Sequence, residues 1–179
     1  MTVYTIGHGN RAIGELLALL RGAGIGCLVD VRAYPASRRH PQFSREALQE
    51  SLAAAGIRYV WEGKSLGGRR RPVAGSRHVA LRSASFRAYA DHMETAEFRA
   101  GVGRLLDAGE RAPAAILCAE RLPWECHRNL ISDSLAARGV RVLHLMDKGE
   151  TREHALNPVA RVEGERLVYD AGEQLGLKL

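Results

Sequence analysis

Apolar residues along this chain follow two spacings. Nearly continuous apolar runs at residues 3–6, 27–31, 57–61, 114–118 and 140–145 read as strands. Runs of that kind are buried on both faces in parallel sheets. Between them, apolar positions recur every three or four residues. Ile13, Leu16, Leu17 and Leu20 define a first helix, with Asn10 expected as its N-cap. Ser44 is expected to cap a second, with Phe43 stapled onto Leu48. Phe86, Tyr89, Ala90 and Met93 line a third, and Phe98, Val102, Leu105 and Leu106 a fourth. Residues 124–138 form a fifth. Gly24, Gly56 and Gly139 each fall between a helix and the strand that follows, where a left-handed cap is needed.

This order, βαβαβ then two helices then βαβ, predicts an α/β fold. The sheet is mostly parallel, with helices on both faces. Residues 159–162 and 166–169 flank Glu163-Gly164-Glu165 and predict a C-terminal β-hairpin. Residues 63–82, rich in Gly and Arg, are expected to form a long loop. Neither a linker nor a second domain is evident, so residues 1–179 are expected to form a single domain.

Composition narrows the class. With 46% hydrophobic and 26% charged residues, the chain has enough apolar surface to fold, which argues against disorder. No stretch reaches the roughly 18 apolar residues of a membrane helix, and MTVYTIGHGN lacks a signal-peptide pattern. The three cysteines are too few and odd in number for a disulfide framework, so a reducing cytoplasm is expected. Charge is the unusual property. The net charge is +6, and of 26 basic residues only Lys64, Lys148 and Lys178 are lysine. Arginine suits bidentate contact with phosphate or carboxylate. The expected partner is therefore an anionic small molecule or a nucleic acid, and not a membrane.

In open α/β sheets ligands bind beyond the carboxyl ends of the strands. The first strand delivers His8 and Asn10 there, and the second delivers Asp30 and Arg32, then Ser37 and Arg38. Arg69, Arg70 and Arg71 follow the third. The fourth delivers Cys118 and Glu120, then Cys126, His127 and Arg128 at a helix start. If those three residues occupy the first helical turn, free N–H groups and the helix dipole favour an anion and lower a thiol pKa. The candidate catalytic set is His8, Asp30, Cys118, Glu120, Cys126 and His127. The candidate anion-binding set is Asn10, Arg32, Ser37, Arg38, Arg69 and Arg128. Cys27 begins a buried strand and reads as core.

Several segments occur together in order: residues 5–11 (TIGHGNR), 30–38 (DVRAYPASR), 41–43 (PQF), 66–69 (LGGR), 89–93 (YADHM), and Cys118-Ala-Glu120 followed by Cys126-His-Arg128. In combination they resemble the prokaryotic family called domain of unknown function 488, over roughly residues 3 to 147. In that family Ser is commoner where this chain has Gly9. The resemblance implies an α/β fold and a shared polar site at His8, Asn10, Asp30, Arg32, Pro35, Ser37, Cys118, Glu120, Cys126, His127 and Arg128. It implies no particular reaction.

Three functions fit these residues. The favoured one is an enzyme acting on a phosphate-bearing substrate, a nucleotide or nucleic acid. Arginines would hold the anion, Cys126 or Cys118 would be the nucleophile, and His8 or His127 the base. The cysteine–five residues–arginine loop of phosphatases and sulfurtransferases is absent, because Trp124 and Ser132 stand where the arginine would. The second is a nucleic-acid-binding module without catalysis, using Arg38-Arg39 and Arg69-Arg70-Arg71, with Tyr34 or Trp61 for stacking. A metal site at Cys118, Cys126 and His127, with Glu120 or His8 as a further ligand, ranks third. The gap between the cysteines matches no common zinc spacing, and neighbours such as Cys126 and His127 seldom reach one ion.

Overall fold

The computed structural model describes residues 1–170. Five parallel strands form the sheet: β1 (Thr2–Gly7), β2 (Cys27–Asp30), β3 (Arg58–Trp61), β4 (Ala114–Cys118) and β5 (Arg141–Leu145). A short antiparallel strand, β6 (Thr151–Glu153), is added at the β5 edge, giving the order β3-β2-β4-β1-β5-β6. Beyond it β7 (Ala160–Glu163) and β8 (Arg166–Tyr169) make the expected hairpin. The mostly parallel α/β architecture read from the sequence is thus the observed one. All three residues of β6 are exposed, so it carries no apolar signal.

Alternation along the strands divides the core. Ile6, Leu28, Ala115 and Leu117 face α1 (Ile13–Gly22) and α2 (Arg45–Ala54) on one side. Val29, Val31, Ile116 and Cys118 belong to the core on the other side. That core is built with α4 (Ala84–Met93), α5 (Ala96–Arg111) and α6 (Arg128–Ala136). Burying both faces explains why these strands read as unbroken apolar runs. Gly24 and Gly56 adopt positive φ after α1 and α2, and the next N–H of each returns to the helix, Ile25 to Leu20 and Ile57 to Leu52.

Four expectations need correction. Asn10 does not cap α1. The chain turns at Gly9 (φ 51°), with Arg11 N–H bonded to the His8 carbonyl, so the cap position falls to Ala12. Ser44 occupies the cap position of α2 but makes no side-chain bond to the helix, although Phe43 is packed in the same core as Leu48. The segment 63–82 is not all loop: α3 (Gly63–Leu66) opens it, and the Glu62 carboxylate accepts from Ser65 (2.5 Å) and Arg104 (2.7 and 2.8 Å). Finally, the helix expected over 124–138 is broken. A turn of 3-10 helix (Pro123–Glu125) precedes Cys126, whose backbone is extended (φ −130°, ψ 147°). The α-helix starts only at Arg128.

Candidate functional site

The carboxyl ends of β2 and β4 and the start of α6 enclose a cavity of about 280 Å³. Its walls include Arg32, Tyr34, Arg69, Phe86, Cys118, Glu120, Glu125, Cys126 and His127. The loop that carries Glu120 is held from both sides. Beneath it, His8 N–H bonds the Cys118 carbonyl (3.0 Å) and Gly9 N–H bonds the Ala119 carbonyl (2.8 Å). The Glu120 carbonyl lies so close to Gly7 that a Cβ there would stand 1.8 Å from it. From the core, the Arg128 guanidinium donates to the carbonyls of Glu120 (2.6 Å) and Arg121 (3.4 Å) and to Thr5 Oγ1 (3.0 Å).

The break before α6 decides the chemistry. In a continuous helix, consecutive side chains diverge by about 100°. With Cys126 extended and His127 helical, both side chains instead turn toward Cys118. His127 Nδ1 lies 3.7 Å from Cys126 Sγ and 3.8 Å from Cys118 Sγ. All three donor atoms fall within 4.8 Å of one another. Neighbouring residues seldom bring their donors to one point, and Cys126 and His127 here do so through this backbone break. The His127 Nε2–H donates to the Val31 carbonyl (3.3 Å), which leaves Nδ1 as a lone pair facing the sulfurs. Gly68 presses on one side of the ring, and the Tyr89 ring lies 5.0 Å away.

The two thiols differ electrostatically. Burial works against ionising Cys126. A hydrogen bond from Cys118, joined by His127 when its ring is protonated at both nitrogens and by the nearby charge of Arg128, outweighs it and holds this thiol well below the ordinary range. The Arg128 N–H also donates to Cys126 Sγ (3.5 Å). Cys118 moves the other way, raised first by its hydrogen bond to Cys126 and then by burial. Its sulfur lies 3.3 Å from Glu120 Oε2. Cys27 sits buried in β2.

The remaining expected site residues divide into two groups. Arg69 is exposed on the cavity rim, with its guanidinium over the Tyr34 ring at 5.5 Å. Arg32 lines the cavity but is bound bidentately by the fully buried Asp30 (2.9 and 2.6 Å) and donates to the Phe43 carbonyl (2.7 Å). Asp30 also accepts from Tyr59 (2.8 Å), so its carboxylate serves this pair and does not line the cavity. His8 lies behind Arg32, stacked on Phe43 at 4.3 Å, and burial lowers its pKa to about 4. Arg128 is 1% exposed, with its guanidinium given to Thr5 and to carbonyls. Asn10, Ser37 and Arg38 lie outside the cavity. Asn10 accepts from Arg121 (3.2 Å), Ser37 accepts from the His40 N–H (2.9 Å), and Arg38 is exposed.

Three residues escaped the sequence reading. Glu125 and Phe86 complete the wall, and nothing in the sequence sets them apart. Gly68 was legible only as part of a glycine pair. A longer network also went unread. His144 accepts from Thr5 (2.8 Å) and donates to His154 (3.0 Å), which donates to Asp133 (2.9 Å). The Tyr169 hydroxyl closes it on Asp133 (2.9 Å).

Fold and site together define an α/β protein with a thiol–imidazole cavity at the carboxyl edge of a parallel sheet. The chain belongs to the family described as Domain of unknown function DUF488, whose profile matches residues 12–135. That span contains Asp30, Arg32, Arg69, Glu120 and the cluster, and leaves His8 and Asn10 outside. No curated protein and no solved structure matches the chain. Among the described residues, no helix is long and apolar enough to cross a membrane.

Proposed function

We propose that the protein is an enzyme acting on a small phosphate-bearing molecule of nucleotide type. Its reactive centre is the Cys118–Cys126–His127 cluster. The observation that carries this reading is convergence: a free arginine, two sulfurs and an oriented imidazole line one cavity at the strand ends. Arg69, exposed on the rim with its guanidinium over the Tyr34 ring, would take the anionic group. Glu120, on the loop after β4, and Glu125, at the end of the 3-10 turn, would face hydrogen-bond donors of the substrate. A cavity of about 280 Å³ is at the small end of ligand sites, which favours a small molecule over a polymer.

A thermal-shift screen of phosphate- and carboxylate-bearing metabolites tests the reading. A ligand at 100 times its Kd adds about 2.7 kcal/mol. For a chain of this length that is roughly 5–11 °C. Arg69→Ala should abolish the shift for a true ligand, and Cys126→Ser should abolish its turnover while binding persists. A screen without hits, or hits indifferent to Arg69→Ala, would overturn the proposal. Binding only to RNA or DNA, weakening steeply with salt, would favour a nucleic-acid-binding module instead.

A further inference from the structure

We infer that Cys118, Cys126 and His127 form a three-ligand site for a zinc-type divalent cation, with its fourth position open to the cavity. This deepens the proposed function, since it rests on that cluster being the reactive centre.

Geometry is the first argument. Zinc bonds sulfur at about 2.3 Å and imidazole nitrogen at about 2.0–2.1 Å in a tetrahedron, which places S and N about 3.6 Å apart. The observed separations from Nδ1 are 3.7 and 3.8 Å, close to that value, and all three donor atoms lie within 4.8 Å of one another. Two sulfurs and one imidazole are also a donor set that selects zinc over magnesium or calcium.

The surroundings supply the second argument. A metal-binding histidine commonly gives its other N–H to a carbonyl or carboxylate, which fixes tautomer and ring angle. His127 does this with Val31. Gly68 offers no Cβ, and one built there would lie 2.5 Å from Nδ1, so the donor atom is left uncovered. The backbone N–H of Arg128 aims at Cys126 Sγ, a contact that supports a metal-bound sulfur.

The open side has its own chemistry. Glu120 approaches Cys118 at 3.3 Å and lines the same cavity, but is not among the three donor atoms that lie within 4.8 Å of one another. A cation there would take an oxygen of the substrate anion or a water. Glu120 is placed to accept a proton from such a water, and Arg69 to hold the far end of the anion.

The test uses the full chain, reduced and purified without air. Cobalt(II) is titrated as a spectroscopic stand-in, and metal content is measured directly. The expected result is one equivalent bound, with thiolate-to-cobalt charge transfer and the intense visible bands of tetrahedral cobalt. Cys118→Ser, Cys126→Ser and His127→Gln should each weaken binding at least tenfold, and Cys27→Ala should leave it unchanged. A variant that fails to fold is replaced by a measurement on the unaltered chain: zinc should protect Cys118 and Cys126 from alkylation, read by mass spectrometry. Binding well below one equivalent, or no protection, would overturn the inference. If anions bind and metal does not, this inference falls alone. If metal binds and no anion does, the site stands and the proposed substrate class falls.

Discussion

Arg32 and Asp30 are a buried pair, and the structure sets what breaking it should do. Their side chains are 6% and 0% exposed. Asp30 takes two bonds from the guanidinium, one from the Arg32 N–H (3.0 Å) and one from Tyr59 (2.8 Å). Arg32→Met keeps the length of the side chain and removes the charge. Stripping a buried carboxylate of its cation costs about 3–5 kcal/mol. Tyr59 and the backbone N–H remain, so the lower part of that range is expected, about 3 kcal/mol. At roughly 2–4 °C per kcal/mol the melting point drops by roughly 6–12 °C. Arg104→Ala is the contrast. Arg104 also meets a carboxylate, Glu62, but is half exposed, and should lose no more than about 1 kcal/mol. Urea unfolding measures both, through a lower midpoint at constant slope. The double variant Asp30→Asn/Arg32→Met should recover at least half of the loss, because it no longer buries a lone charge. The reasoning is refuted if Arg32→Met costs under about 1 kcal/mol, or if the double variant is as unstable as the two single losses added.

Three further outcomes follow from described contacts. Burial lowers His8 and His144 to about 4. The unfolded chain, with histidine near 6.5, takes up those protons first, so the histidine contribution to stability should fall as pH drops from about 6.5 to 4 and be fully lost below, where the ion-paired carboxylates take over the loss. The slope is at most about 1.4 kcal/mol per pH unit for each group. Urea midpoints across that window check it, and His144→Gln should flatten the curve. Gly7→Ala drives a Cβ against the Glu120 carbonyl and should abolish soluble folded protein, whereas Gly68→Ala meets only the His127 ring and should keep the fold, read by circular dichroism and cobalt titration. Asp133→Asn weakens acceptance from His154, Asn157 and Tyr169, so protease should cut first near the β7–β8 hairpin that Tyr169 anchors.

The strands were legible because burial on both faces leaves unbroken apolar runs, and the glycines after α1 and α2 marked where each helix stops. Other features were decided by tertiary contacts. Glu62 holds α3 through Ser65 and Arg104, in a stretch whose glycines and arginines point to loop. Asn10 is drawn away from its capping role by a turn at Gly9. The cysteine segment was recognisable by composition and position, but its chemistry depends on the two backbone angles of Cys126. No spacing rule contains those angles, which is why the meeting of Cys126 and His127 was not legible in the sequence. His154 showed no pattern because its partners come from distant elements, β5 and α6.

The place of β1 has a consequence for the newly made chain. It lies in the middle of the sheet, yet its partners come late: Val3 pairs with Ala114 and Thr2 with Arg141. During synthesis β1 therefore emerges well ahead of its partners and waits, while β2 and β3 can already pair with each other. The cavity needs β4 and the start of α6, so its thiols come together only after the chain through Arg128 has left the ribosome. Until then Cys27 and the apolar residues of β1 are unprotected. Conditions that slow elongation should raise the demand for chaperones more than any change at the mature surface would.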